Sequence, residues 1–420
     1  MKRLAVIADD LTGANENGLH FINNKLKAQT LIYQKAEFQG DLRKIRSSGG
    51  ILIVDSESRQ SAPAEAAAKT VKIAGLLYSA GIEKIYLKFD STLRGNIGSS
   101  LGAVLALRKN EYAAVCMAFP AAGRTTKNGE QYVGNRKVSA SAFAKDPLNP
   151  VSSSNIRKVL REGTKLSSAL IALRTLRAGA RIAKNEKERL LSKGARIIVF
   201  DCVTDGDLKL VAEVIEDCKV ICGASALSKE LAGKGKALPQ AAVSTGRRVV
   251  GIAGSLNPVT AEQIKYLTER ERFRQVFVGA EDAVLRSITA DLGKKDFMIV
   301  LRDDETTKAY IRRLIEEKGR TEAVELISRG LAGIAGQCGA DTERDAFFFT
   351  GGATAAGACI EFGLRGFKVA GAAGIGIPLL CSEPGNTPVV TKSGGFGKKD
   401  AFLSIIKCLK GGKPCRRQRK

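Results

Sequence analysis

The sequence predicts an α/β protein of two domains, each with a mostly parallel sheet flanked by helices. Three observations carry that reading. The chain has 420 residues, more than a single hydrophobic core of ordinary size accommodates. Short aliphatic runs alternate with amphipathic helical stretches, the pattern of parallel strands covered on both faces. The pattern then restarts after KELAGKGKALPQAAVSTGRR, a stretch rich in Gly and Lys. The boundary is therefore placed near residue 240, with domains over 1–240 and 247–410 and a basic tail over 411–420 read as disordered.

In order along the front half, RLAVIA, GGILIVD, KIYLKFD, AAVCMAFP, ARIIVFD and KVICGAS each read as a buried strand. Most are followed by a polar or glycine-containing loop and a helical stretch. The helix after the first strand should run towards Lys27. Residues 151–193 read as mostly helical, decorating the first domain. In the rear half VVGIAGS, DFMIVL, AFFFTGG and PVVTKSGG read as strands of a second unit. With aromatics at 5% and no Trp, both cores should be aliphatic.

Composition removes several function classes. Nothing approaches the roughly 18 apolar residues of a membrane-spanning helix, and the start MKRLAVIADD meets acid too soon for a signal peptide. Nine cysteines without a C-x-x-C pair point to reduced thiols and a cytoplasmic protein. The net charge of +24 raises the possibility of a polyanion partner. It is spread along the chain, however, with no stacking aromatics and no recognisable module, so no nucleic-acid partner is expected and an acidic small molecule is the more economical one. The single histidine, His20, falls inside a helix, which removes multi-histidine metal sites.

In open α/β sheets, ligands collect at the carboxyl ends of the strands. After the first strand stand Asp9 and Asp10, then Thr12 and Gly13 at a helix start. Thr12 as cap and one acid at the helix N-terminus would be unremarkable; two adjacent acids suggest use, and with His20 set aside they are the best proton acceptors. After the second strand comes Arg59, on its own a surface residue. The third strand delivers KFDSTLRGNIG, with Lys88, Asp90, Ser91, Thr92, Arg94 and Gly95. A capped helix entry accounts for some of these residues. Cations and hydroxyls together also suit a hydroxylated acid. The fourth strand end, FPAAGRTTKNG, repeats the chemistry. In the rear half GIAGSLNPVT, TGGATAAG and TKSGGFGKKD each place a glycine or serine turn at a strand end. Free backbone N–H groups in such turns bind phosphates, so three of them point to a nucleotide. Neither a Walker A sequence nor G-x-G-x-x-G occurs.

With these blocks in view, the sequence resembles the four-carbon acid sugar kinase family over nearly its whole length. IADDLTGAN, KFDSTLRGNIG, AFPAAGRTTKNG and FAKDPLNPVSSSNI are similar to its N-terminal motifs; GSLNPVT, TGGATA and VVTKSGGFG are similar to its nucleotide loops. The resemblance implies ATP-dependent phosphorylation of the 4-hydroxyl of D-threonate or D-erythronate, with Mg²⁺. It places sugar acid on the first domain, nucleotide on the second and the reaction in the cleft between them. It implies catalytic roles for Asp9 or Asp10, and sugar-acid contacts at Asp9, Arg59, Lys88, Phe89, Asp90, Ser91 and Arg94. ATP contacts would fall on Ser255, Gly351, Gly352, Ala353, Thr354, Gly394 and Gly395. Metal ligands are left unassigned, no membrane partner is implied, and a homodimer is admissible. Three positions depart from the family pattern: Glu16 stands for the usual Asp, Ala353 for an acid in the T-G-G-[DE]-T turn, and GAAGIGIP lacks its usual acids. Those departures motivate an alternative, a sugar-acid-binding or regulatory homologue with weak or lost transfer.

Overall fold

The computed structural model describes residues 4–33, 50–146, 149–231, 243, 246–271, 273–288, 290 and 292–411. Both the expected tail and most of the expected boundary lie outside them. The chain forms two compact units. One comprises Met1–Lys27 and Tyr33–Ala237, the other Ala28–Ile32 and Leu238–Lys420. A five-residue segment inside the expected front domain thus groups with the rear unit.

The strands up to residue 223 are β1 (Leu4–Ala8), β2 (Ala28–Ile32), β3 (Ile51–Asp55), β4 (Lys84–Lys88), β5 (Ala113–Cys116), β6 (Arg124–Lys127), β7 (Glu130–Val133), β8 (Arg136–Lys137), β9 (Ser168–Ile171), β10 (Ile197–Phe200) and β11 (Val220–Gly223). In the first unit they order as β3-β1-β4-β11-β5-β10-β9, and every neighbouring pair is parallel. All carboxyl ends therefore open on one edge. The strands β6, β7 and β8 form a separate antiparallel sheet. Residues 151–193 are mostly helical, as expected, with helices Ile156–Gly163, Leu173–Arg177 and Ala180–Ser192, but they also contain β9, which pairs in parallel with β10 at the sheet edge. It is only four residues long and lies between helices, so its sequence carries almost no period of its own.

The second unit adds β12 (Arg248–Ala253), β13 (Arg274–Val278), β14 (Phe297–Leu301), β15 (Asp345–Thr350), β16 (Gly366–Gly374), β17 (Ile377–Glu383) and β18 (Pro388–Lys392). Its order is β13-β14-β12-β15-β18-β17-β16-β2. The first five are parallel; β17, β16 and β2 continue as an antiparallel meander. GAAGIGIP forms the turn of the β16–β17 hairpin. The first core is built mainly from aliphatic side chains such as Val6, Ile53 and Leu101, but Phe21, Tyr86 and Phe200 are fully buried too, so neither core is purely aliphatic. In the second, the aromatics are concentrated. Phe347, Phe348 and Phe349 on β15 are all fully buried, and Phe348 packs 5.4 Å from Phe402, centroid to centroid. A low aromatic count averaged over the chain hides their concentration in one strand. No described helix is long and apolar enough to cross a membrane.

Candidate functional site

At the carboxyl edge of the first sheet, β1 ends in Asp9 and Asp10. Asp10, not Thr12, caps the helix Leu11–Asn23: its carboxylate accepts from the Gly13 N–H at 2.9 Å and from the Thr12 hydroxyl at 2.7 Å. The neighbouring strand β3 leads into Arg59, whose guanidinium clasps both acids. Its Nε and one terminal nitrogen donate to Asp9 at 2.7 and 2.6 Å; both terminal nitrogens donate to Asp10 at 2.6 and 2.8 Å. This is a buried, fork-shaped cross-link between two strand ends. Burial raises the Asp9 carboxyl above its usual value, with Arg59 opposing. For Asp10, burial also acts upward, but Arg59, Lys88 and the capping hydrogen bonds outweigh it and the net shift is down.

The third strand end is organised by an acid as well. The Asp90 carboxylate accepts from the Thr92 hydroxyl at 2.5 Å and from Arg94 Nε. A second Arg94 nitrogen donates to Asp146 at 2.9 Å. Asp90 does not cap the following helix, Ile97–Leu107, which begins at Asn96. Gly95 turns the chain at φ 92°, where a Cβ would come within 2.9 Å of Asp9. The Ser91 carbonyl accepts from Gln131 of β7 at 2.7 Å, and Phe89 is buried, so its ring serves packing.

Both arginines of these loops are paired within the protein. The charge of Arg59 is already balanced by Asp9 and Asp10. Arg94 is likewise paired, although it keeps N–H donors to spare. Of the cations at these strand ends, Lys88, at the end of β4 and 4% exposed, makes no hydrogen bond or ion pair within the described residues. Its ammonium lies over Gly13 in the first helical turn. Close to it electrostatically is Glu16, one oxygen of which is buried without a partner. Burial pushes the Glu16 carboxyl up to about 7 against the pull of Lys88.

Arg124, at the start of β6, also lacks a carboxylate partner. It donates to the Ala122 carbonyl at 2.6 Å, lies over the Phe143 ring at 5.7 Å, and has a buried Nε with no partner. Glu16 was visible in the sequence only as an unusual residue; its position three residues past Gly13 puts it on the helix face over which the Lys88 ammonium lies. Arg124 could have been found from GRTTKNG, which places it at the fourth strand end.

In the second unit three glycine turns converge. Gly351 ends β15 at φ 104° and precedes the helix Gly352–Glu361, whose cap has no side-chain hydrogen bond. A Cβ on Gly394 would collide with the Ser255 hydroxyl, and one on Gly254 with the Thr354 hydroxyl. Ser255, Gly351, Thr354 and Gly394 are therefore close together, as a phosphate cradle requires. Gly352 and Ala353 open the helix, and Gly395 follows Gly394 in the same turn as the β18 end. Among the described residues no group of three or more His, Cys, Asp or Glu could hold a metal, and the first turn of Gly352–Glu361 has no acid. A resident Mg²⁺ does not fit these residues; the ion would come on the nucleotide's own oxygens and water.

Comparison with known proteins follows the same division. Residues 4–231 match the family model of a sugar-binding N-terminal domain, and residues 250–402 that of a nucleotide-binding C-terminal domain. A 3-oxo-tetronate kinase of Pseudomonas fluorescens Pf-5 is 27% identical over 97% of each chain. A D-threonate kinase of Salmonella typhimurium LT2 is 28% identical over 96% of this chain and 97% of its own. The crystal structure of Haemophilus influenzae protein HI1011 shares the fold with a TM-score of 0.67 at 24% identity, covering 96% of this chain and 98% of that one.

Proposed function

Since the chain belongs to the four-carbon acid sugar kinase family and is a phosphotransferase with an alcohol group as acceptor, we propose that it transfers the γ-phosphoryl of ATP to the 4-hydroxyl of D-threonate or D-erythronate. The observation that carries the reading to residues is Lys88, a buried ammonium at a central strand end that feels nearby carboxylates but makes no hydrogen bond or ion pair with them. A buried cation left unpaired costs free energy, which a ligand carboxylate recovers. Lys88 and Arg124 bind the substrate carboxylate in this reading; the Arg59 fork fixes the two strand ends that frame it.

Transfer relies on alignment and charge stabilisation. The O4–P bond forms as the bond from phosphorus to the β,γ-bridging oxygen breaks, ADP leaves with the electron pair, and the hydroxyl proton passes to a carboxylate. Asp10 is a poor acceptor because its lone pairs hold the helix cap and Arg59. Asp9 holds Arg59 with both oxygens. Glu16, with an open oxygen and a carboxyl raised to about 7, is matched to proton acceptance near neutrality. In the second unit the Gly352–Thr354 and Gly394–Gly395 N–H groups hold the phosphates, with Ser255 between them.

An ADP-release assay over D-threonate, D-erythronate and their 3-oxo analogues, with and without Mg²⁺, tests the reading. Turnover of one four-carbon acid is expected. K88M should raise its KM by about tenfold or more, the scale of one lost charge-assisted contact. E16Q should lower kcat by about a hundredfold. If D9N lowers kcat that far and E16Q does not, the proton acceptor is Asp9. Binding of sugar acid without any ADP release would favour the second reading, a binding homologue, for which Ala353 in the acid-free first turn is the motive.

A further inference from the structure

The strand β18 ends in a lysine that the family reading leaves without a role. Lys392 is 1% exposed and has no carboxylate partner among the described residues. Its ammonium donates instead to three backbone carbonyls of the turn that follows: Ser393 at 2.9 Å, Gly394 at 3.2 Å and Phe396 at 3.1 Å. The Phe402 ring lies 5.6 Å from the nitrogen. Three carbonyls and a ring face are what a desolvated cation accepts in place of water.

Other inward donors act on the same turn. From the helix Pro258–Thr268, Thr260 donates to the Gly394 carbonyl at 3.0 Å, and Gln263 donates to the Phe396 and Lys398 carbonyls at 2.9 and 3.0 Å. The Gly351 N–H donates to the Lys392 carbonyl at 2.9 Å, so one residue ties two of the three glycine turns. With its carbonyls turned onto the ammonium, the hydroxyl and the amide, the turn leaves the Gly394 and Gly395 N–H groups unbonded among the described residues. Successive free N–H groups backed by a positive charge make an anion seat.

We propose that Lys392 is a positioning residue for nucleotide binding: its ammonium acts as a built-in cation that shapes the Ser393–Phe396 turn and lends positive charge to the seat for a nucleoside triphosphate. The proposal rests on the reading that this turn receives phosphates. Burial alone pulls the ammonium down to about 7, and a bound polyanion would favour its charged form.

Two variants of the full chain test it, with ATP binding followed by titration calorimetry and KM measured for each substrate. K392M keeps the buried stem and removes the charge. It should weaken ATP binding by about tenfold or more, while the KM for the sugar acid changes by less than about twofold. K392A leaves a carbonyl-lined space that a small cation can enter, so ammonium chloride should restore part of the lost ATP affinity and choline chloride should not. K392M binding ATP within about twofold of wild type overturns the proposal, whatever K392A does. Equal loss of both ligands, with no ammonium rescue in folded K392A, assigns Lys392 a purely structural role and also overturns it. Should K392A not fold, K392M decides. A wild-type chain that binds no ATP would instead remove the phosphate reading and this inference with it, a result distinct from failure of the variants alone.

Discussion

At the residue scale, the first unit's strand ends are governed by charge compensation. Asp9, Asp10 and Arg59 form a closed set, so removing the cation leaves two buried carboxylates facing each other. Arg59→Leu should cost about 3–5 kcal/mol of stability, measured by urea denaturation, the range for breaking a buried ion pair from one side. Glu16 gives a pH test. Its carboxyl is raised from 4.5 to about 7 in the folded chain, so folding favours the protonated form. That contribution is fully present below pH 4.5 and is lost as pH rises through 7. Comparing wild type with E16Q cancels the titration of Asp55, also raised to about 7, and of His20, lowered to about 4 by burial. E16Q should gain on wild type by up to about 3 kcal/mol between pH 4.5 and 8; a constant difference across that range would mean Glu16 is not protonated in the folded chain. The sequence marked Asp9, Asp10, Arg59 and Lys88 as worth attention, but not which cation would stay unpaired. That depends on β3 lying beside β1, a pairing no local pattern encodes.

At the scale of elements, strand ends and glycine turns were legible because continuous apolar runs and glycine punctuation are local signals. The antiparallel pair β16 and β17 was not, since GFKVAGAAG has neither β-branched enrichment nor alternation. Helix crossings were also out of reach. The helices Ile97–Leu107 and Ile156–Gly163 approach so closely that a Cβ on Gly98 would collide with the Leu160 carbonyl and come within 3.1 Å of the Gly163 Cα. Neither glycine has a positive φ, so the requirement is space and not backbone conformation. G98A should therefore destabilise by about 1–3 kcal/mol, an overpacking cost, whereas G75A, with nothing within 4 Å of its Cβ, should be neutral or stabilising in the same thermal melt. The helix Gly352–Glu361 shows the opposite case: its acid-free start leaves the N-terminal dipole available to phosphate.

For the whole molecule, the two units are not each a single stretch of chain, because Ala28–Ile32 groups with the rear unit. Residues 28–32 complete the edge of the rear sheet, Leu31 pairing with Gly366 and Gln29 with Lys368. Their sequence, AQTLI, carries no hint of where it pairs, because registry with a distant strand is a tertiary property. A fragment of residues 246–411 should therefore expose the β16 edge and self-associate in size-exclusion chromatography, and a peptide spanning residues 26–33 should reduce that association. The same pairing has a consequence for biosynthesis. Leu31 and Gly366 are 335 residues apart, so at ribosomal speeds of about 5–20 residues per second the early strand waits on the order of 20 to 70 s for its mate. In that interval an unpaired strand is on offer to any passing chaperone, and translation rate, more than intrinsic folding speed, sets when the rear sheet can close.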